Sequence, residues 1–151
     1  MRIKGATEMA DIVHQFPIKA AAAQVFQAVS TPAGLDAWWT LRAAGAPELG
    51  ATYELWFGLE YDWRAVVTRC VPGEEFELEM TAAQADWLGT RVGLTLTETN
   101  GVTTVRFYHS GWPAPNEHFS ISSYCWATYL RLLKRYVERG EVVAYQDRDE
   151  A

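Results

Sequence analysis

The chain contains no apolar run approaching the ~20 residues that a membrane-spanning helix needs. No apolar stretch of signal-peptide length stands near its N-terminus. Two cysteines in 151 residues cannot build a disulfide framework. Cys70 and Cys125 fall on an apparent strand and an apparent helix, without metal-type spacing, so free, reduced thiols are expected. Cations are scarce: 13 Lys and Arg against 19 Asp and Glu leave a net charge of −6. With no basic stripe, that balance argues against a general affinity for nucleic acid or anionic membrane. No nucleophile elbow, Gly-rich phosphate loop or Cys-His-Asp set appears, which removes the common routes to nucleophilic catalysis and phosphate binding. These absences predict a soluble, cytoplasmic protein with no cofactor, no metal, no nucleic-acid partner and no membrane insertion.

Aromatic residues, in contrast, are abundant. They make up 13% of the chain, and seven are Trp, so the sequence either fills a large core or lines a large cavity. The length fits a single domain over residues 1–151, with Met1 to Met9 expected to fray and residues 141–151 expected as a tail.

The strongest periodic signal is Asn116 to Arg139, an amphipathic helix with two adjoining apolar stripes. Phe119, Trp126, Leu130, Leu133 and Val137 form one; Ile121, Cys125, Tyr129, Leu132 and Tyr136 form the other. A surface helix needs one stripe, so two require something against each flank. Asn116 is the expected N-cap, and Gly140 the C-terminal stop.

Upstream, Ile12, His14, Phe16 and Ile18 alternate as a first strand with one buried face. Ala20 to Ser30 reads as a short helix, and Thr31-Pro32 starts a second that runs to Trp38 and Trp39. Arg42 to Gly50 reads as an Ala/Gly/Pro loop. From Ala51 the period is two: Tyr53 to Phe57, Trp63 to Val71, Phe76 to Met80, Thr90 to Thr99 and Thr103 to His109 form a five-strand meander. Pro72-Gly73 and Asn100-Gly101 mark hairpins. Segregated elements in this order predict an α+β fold, a curved antiparallel sheet wrapped around the long C-terminal helix. The first strand is expected to close the sheet beside the last.

Particular residues carry a resemblance as well. Phe16-Pro17-Ile18 leading to Val25-Phe26, then Ser30-Thr31-Pro32, Trp38-Trp39, Gly50, His109-Ser110-Gly111-Trp112 and Cys125-Trp126 to Leu130, Leu133, Lys134 and Gly140 resemble the START/Bet v 1-like (SRPBCC) superfamily, the helix-grip fold. Within it the chain is most similar to the activator of heat-shock protein 90 ATPase homologue family. The resemblance implies a tapered cavity between sheet and long helix that takes an apolar or amphipathic ligand. It also implies a range of roles: lipid or polyketide carriage, cyclase chemistry, or stress-linked co-chaperone activity. The eukaryotic co-chaperone carries a separate domain ahead of this one, and nothing here precedes the first strand, so that role is the least expected.

Alternation turns Tyr53, Leu55 and Phe57, Phe76, Leu78 and Met80, and then Phe107 toward a shared interior with Trp126 and Tyr129 of the helix. Trp39, Trp63, Trp112 and Ser122 complete the expected ligand-binding set. The alternative is that these side chains fill a closed core. Tyr and Trp carry polar tips that need partners when buried, which favours a roomier interior. His109 faces inward beside Phe107 and is the one candidate catalytic residue, as acid/base in a polyketide cyclase- or hydrolase-like enzyme, with Tyr129 or Tyr53 as donor. A three-His metal site from His14, His109 and His118 is disfavoured because the spacings match no ligand pattern. Glu75, Glu77 and Glu79 read as a solvated strand face. Of Arg64 and Arg69, which alternate oppositely, one is expected to reach a ligand carboxylate. One Trp of the Trp38-Trp39 pair should face the core and the other the cavity mouth. Trp56 and Tyr108, facing outward, point to a homodimer. The function expected is therefore binding of a small hydrophobic or aromatic molecule in an internal cavity, with the cyclase-like enzyme and a co-chaperone-like interaction module as alternatives.

Overall fold

The computed structural model describes residues 10–151; the expected fraying of Met1 to Met9 lies outside them. Strand β1 (Ala10–Ile18) leads to helices α1 (Ala22–Ser30) and α2 (Pro32–Trp38). The meander follows as β2 (Arg42–Ala44), β3 (Thr52–Trp56), β4 (Asp62–Val71), β5 (Glu75–Ala82), β6 (Arg91–Thr99) and β7 (Val102–Trp112). Helix α3 (Glu117–Arg139) and a 3-10 segment (Tyr145–Glu150) end the chain. The sheet runs β1-β7-β6-β5-β4-β3-β2, antiparallel throughout, so the first strand does close beside the last.

The caps follow the residue types. Thr31 accepts from Gly34 N at 3.0 Å with Pro32 opening α2, and Asn116 accepts from Phe119 N at 2.9 Å. Gly140 takes the left-handed conformation at φ 68° and closes α3 onto Tyr136 O. Both flanks of α3 are occupied. Trp126, Leu130 and Leu133 are buried on the sheet, while α1, α2 and the 3-10 segment pack along the rest.

Four sequence expectations change. Arg42–Ala44, read as loop, is an edge strand on β3. The Arg42 guanidinium lies 4.4 Å from the Trp56 ring, and Asp36 accepts the Ala43 N–H at 2.8 Å, which holds the segment extended. Residues 141–151, read as a tail, are a docked strap. Buried Arg148 donates to Asp36 O, Thr40 O and Val143 O at 2.7, 3.2 and 3.0 Å.

The third change is at β4, where Val67 pairs with Leu78 but Arg69 with Glu77, so Thr68 is a bulged extra residue. Trp63, Ala65 and Val67 point inward before it and Cys70 after it. Arg64 and Arg69 therefore share the outer face, where Arg64 meets Glu54 and Asp62, and Arg69 meets Glu75 and Glu77. Neither reaches the interior. The flip stays within β4, since Phe76, Leu78 and Met80 remain buried.

The fourth is Glu77, which is not solvated but 3% exposed. It accepts from Tyr108 Oη and from Thr68 Oγ1, with Arg91 at 3.5 Å. Gly93 makes this possible, because a Cβ there would overlap the Tyr108 hydroxyl. Tyr108 and Trp56, expected to await a partner, are thus both engaged within the chain.

Candidate functional site

Beside the N-terminal half of α3, a pocket of about 360 Å³ opens between the helix, the β3–β4 turn, the loop after β5 and the strap. Its walls are aromatic. Trp39 lies 5.1 Å from Trp126 and 5.6 Å from Phe57; Trp63 lies 5.2 Å from Phe57 and 4.8 Å from Trp87. Trp87 stacks on Trp126 at 5.7 Å and 21°. Along the opposite side α3 presents His118, Ser122, Cys125 and Tyr129, which the spacing of four, three and four residues places on one face. Tyr61, Gln84, Ile121 and Tyr145 complete the rim.

Six of the expected ligand-binding residues line this pocket: Trp39, Phe57, Trp63, Ser122, Trp126 and Tyr129. The others lie outside it. Tyr53, Leu55, Phe76, Leu78, Met80 and Phe107 pack in a closed core under α1 and α2. The gap left beside Phe76, Leu78 and Phe107 is about 10 Å³ and apolar, so it stays dry. The two helices plug this end: Trp38 is buried with its Nε1 on Ala28 O at 2.9 Å, and the Tyr53 hydroxyl donates to Ser30 O. Of the Trp pair, then, Trp38 is core and Trp39 faces the pocket.

His109 is fully buried behind the pocket wall. Trp126 Nε1 donates to its Nδ1 at 3.1 Å, which leaves the proton on Nε2 to be donated to Thr90 Oγ1 at 2.7 Å. Thr90 in turn donates to Trp87 O at 2.5 Å. Burial first, then the nearby His118, lowers its pKa to about 3. Both nitrogens are occupied and the ring is neutral, so it has no lone pair for a substrate. Trp112 reaches the same interior because Gly111, at φ 83°, bulges β7 and turns the next residue inward. It packs 5.0 Å from His109, outside the pocket, with its Nε1 unpartnered among the described residues.

The three histidines go to different partners. His14 meets Ser123 Oγ at 3.4 Å, His109 meets Thr90 and Trp126, and His118 Nδ1 meets Asp86 Oδ2 at 3.0 Å. Among the described residues no three His, Cys, Asp or Glu side chains cluster as metal ligands would. Burial, helped by Asp149, pushes the Cys125 thiol up, so it is a protonated wall residue and not a nucleophile. Burial raises the Tyr129 phenol likewise, with Asp149 accepting its hydroxyl at 3.3 Å.

Sequence reasoning missed Tyr61, Gln84, Trp87, His118, Ile121, Cys125 and Tyr145 as lining residues. Cys125 and Ile121 were already in the helix's second stripe, and His118 and Ser122 extend its spacing. Trp87, Gln84 and Tyr145 lie in aperiodic segments, where no pattern could find them.

A family model described as activator of Hsp90 ATPase homolog 1-like protein matches residues 19–138. The solution structure of the Aha1 dimer from Colwellia psychrerythraea is 30% identical, covering 87% of this chain and 98% of that one, with a TM-score of 0.78. CalU16 from Micromonospora echinospora is 19% identical over 99% of this chain and 89% of that chain, with a TM-score of 0.72. DynU16, from the dynemicin biosynthetic locus, is 21% identical over 87% of this chain and 48% of its own, with a TM-score of 0.73. At such identities the last two show the same fold alone. No curated protein matches. No helix among the described residues is long and apolar enough to cross a membrane.

Proposed function

The chain belongs to the activator of Hsp90 ATPase homolog 1-like family, a branch of the helix-grip superfamily, and from that premise we propose that it binds a small aromatic or apolar molecule in the Trp-walled pocket. The observation that carries this reading is the pocket's make-up. Five large rings, those of Trp39, Phe57, Trp63, Trp87 and Trp126, surround about 360 Å³ that opens to solvent. Ligand pockets are typically ~300–1,000 Å³ and mostly apolar with a few placed polar groups, so the space suits a molecule of one or two fused rings. Ser122, Tyr129 and His118 supply polar groups of its lining.

Binding is favoured over catalysis by His109, because the expected acid/base has no free nitrogen and does not reach the pocket. Seven Trp give seven indole N–H signals, and four of those rings line the pocket. Titration with naphthalene-sized aromatics should shift the signals of Trp39, Trp63, Trp87 and Trp126 and leave Trp38 and Trp56 in place. If no indole signal moves up to the ligands' solubility limit, the binding reading is wrong.

Homodimerisation is the second reading, carried by the dimeric state of the Colwellia relative. A monomer mass in sedimentation at the NMR concentration removes it.

A further inference from the structure

Resting on that binding reading, we propose that Asp86, His118 and Ser122 form the polar recognition point of the pocket, selecting aromatic ligands with a free phenolic or enolic hydroxyl over their O-alkylated counterparts. His118 is the pocket-lining imidazole and has a carboxylate behind it. Its Nδ1 lies 3.0 Å from Asp86 Oδ2, and a carboxylate only accepts, so the neutral ring carries its proton on Nδ1. Nε2 is then a bare lone pair, and no described residue hydrogen-bonds to it. Asp86 is itself held by Asn116 Nδ2 at 3.4 Å, the same side chain that caps α3, which fixes the pair to the start of the helix. The Trp112 ring lies edge-on to the imidazole at 5.4 Å.

Ser122 stands one helical turn further on the same face. Its Oγ accepts from Trp87 Nε1 at 3.4 Å, so its own proton remains to be donated. An acceptor at His118 and a donor at Ser122 therefore look over one floor, built from the stacked rings of Trp87 and Trp126. A hydroxyl matches this pair because it gives one hydrogen bond and takes another. Its ring plane can then lie on the indoles. An alkyl ether has no proton to give and would bury Nε2 unpaired. A ligand carboxylate would instead place its charge beside Asp86.

The test compares 2-naphthol with 2-methoxynaphthalene by calorimetry at about pH 8. The wild-type protein should prefer the naphthol roughly tenfold, the value of one or two hydrogen bonds made away from water. The preference should fall to near one in His118→Leu and shrink in Asp86→Ala. The Asp86 substitution lies in a loop, so it serves as the variant that keeps the fold. Equal binding of both probes to the wild type overturns this inference and leaves the pocket reading intact. A preference that survives His118→Leu also overturns it. Failure of both probes to bind overturns the pocket reading itself, and this inference with it.

Discussion

His109 has no exposed surface, and both its ring nitrogens are hydrogen-bonded in a way that only the neutral imidazole permits. Its neighbours are Thr90, Trp87, Trp112 and Trp126, with His118 as the nearby titratable group. Its folded pKa is about 3, against ~6.5 in an unfolded chain. Between those values the unfolded state holds a proton that the native state lacks, so stability falls as pH falls. The contribution is complete above about pH 6.5 and is lost progressively toward about pH 3. At ~1.4 kcal/mol per pH unit, moving from pH 7 to about 4.5 should remove roughly 3 kcal/mol. That is a large share of the ~5–15 kcal/mol that holds a domain folded. Replacing His109 by Gln keeps an amide between Trp126 and Thr90 and removes the titration. Urea unfolding of both proteins across this pH range isolates the effect, because the carboxylates are common to both and cancel in the difference. The wild type should be the more stable at pH 7, and its advantage should shrink by about 3 kcal/mol by pH 4.5. A difference that does not change with pH would refute the reasoning. It would mean that the native imidazole takes up a proton as an exposed one does, and would reopen an acid/base role for it.

Gly93→Ala should destabilise the protein by about 1–3 kcal/mol, since the new Cβ displaces the Tyr108 hydroxyl from buried Glu77. In a Tyr108→Ala background the added cost should vanish, which a urea double-mutant cycle reads directly. Arg148→Met should release the strap by removing three hydrogen bonds from a charged donor, at about 1.5–3 kcal/mol. Hydrogen exchange at residues 145–150 should then speed up, and pocket affinity should fall with the loss of the Tyr145 wall. Unchanged exchange there would show that other contacts hold the segment.

The element order and both caps of α3 were legible because they depend on local chemistry. Alternation in Phe76, Leu78 and Met80 and the double stripe of the helix report which side of each element avoids water. The structure buries the strand residues and, at least in part, most of the stripes but leaves Ile121 52% exposed at the pocket rim. The bulges did not show. At Thr68 nothing in the residue types announces an extra residue, yet it sends Arg69 to the same face as Arg64. Gly111 hints at its own bulge only once β1 is seen pairing across it. Glu77 looks like its neighbours Glu75 and Glu79 in sequence; its burial depends on Tyr108 and Gly93 from two other strands.

By itself, then, the sequence determined the fold class, the partition between sheet and helices, and the inward faces of the regular strands. Periodicity encodes these, because a side chain's direction repeats with the backbone that carries it. Only the tertiary structure decided which inward residues line open space. Trp38 and Tyr53 fill one end of the interior and Trp39 and Trp63 border the gap at the other, because α1 and α2 close over the first, while the strap only walls the second through Tyr145. That closure, like the meeting of Asp86 with His118 across 32 positions of chain, is a long-range contact with no local signature.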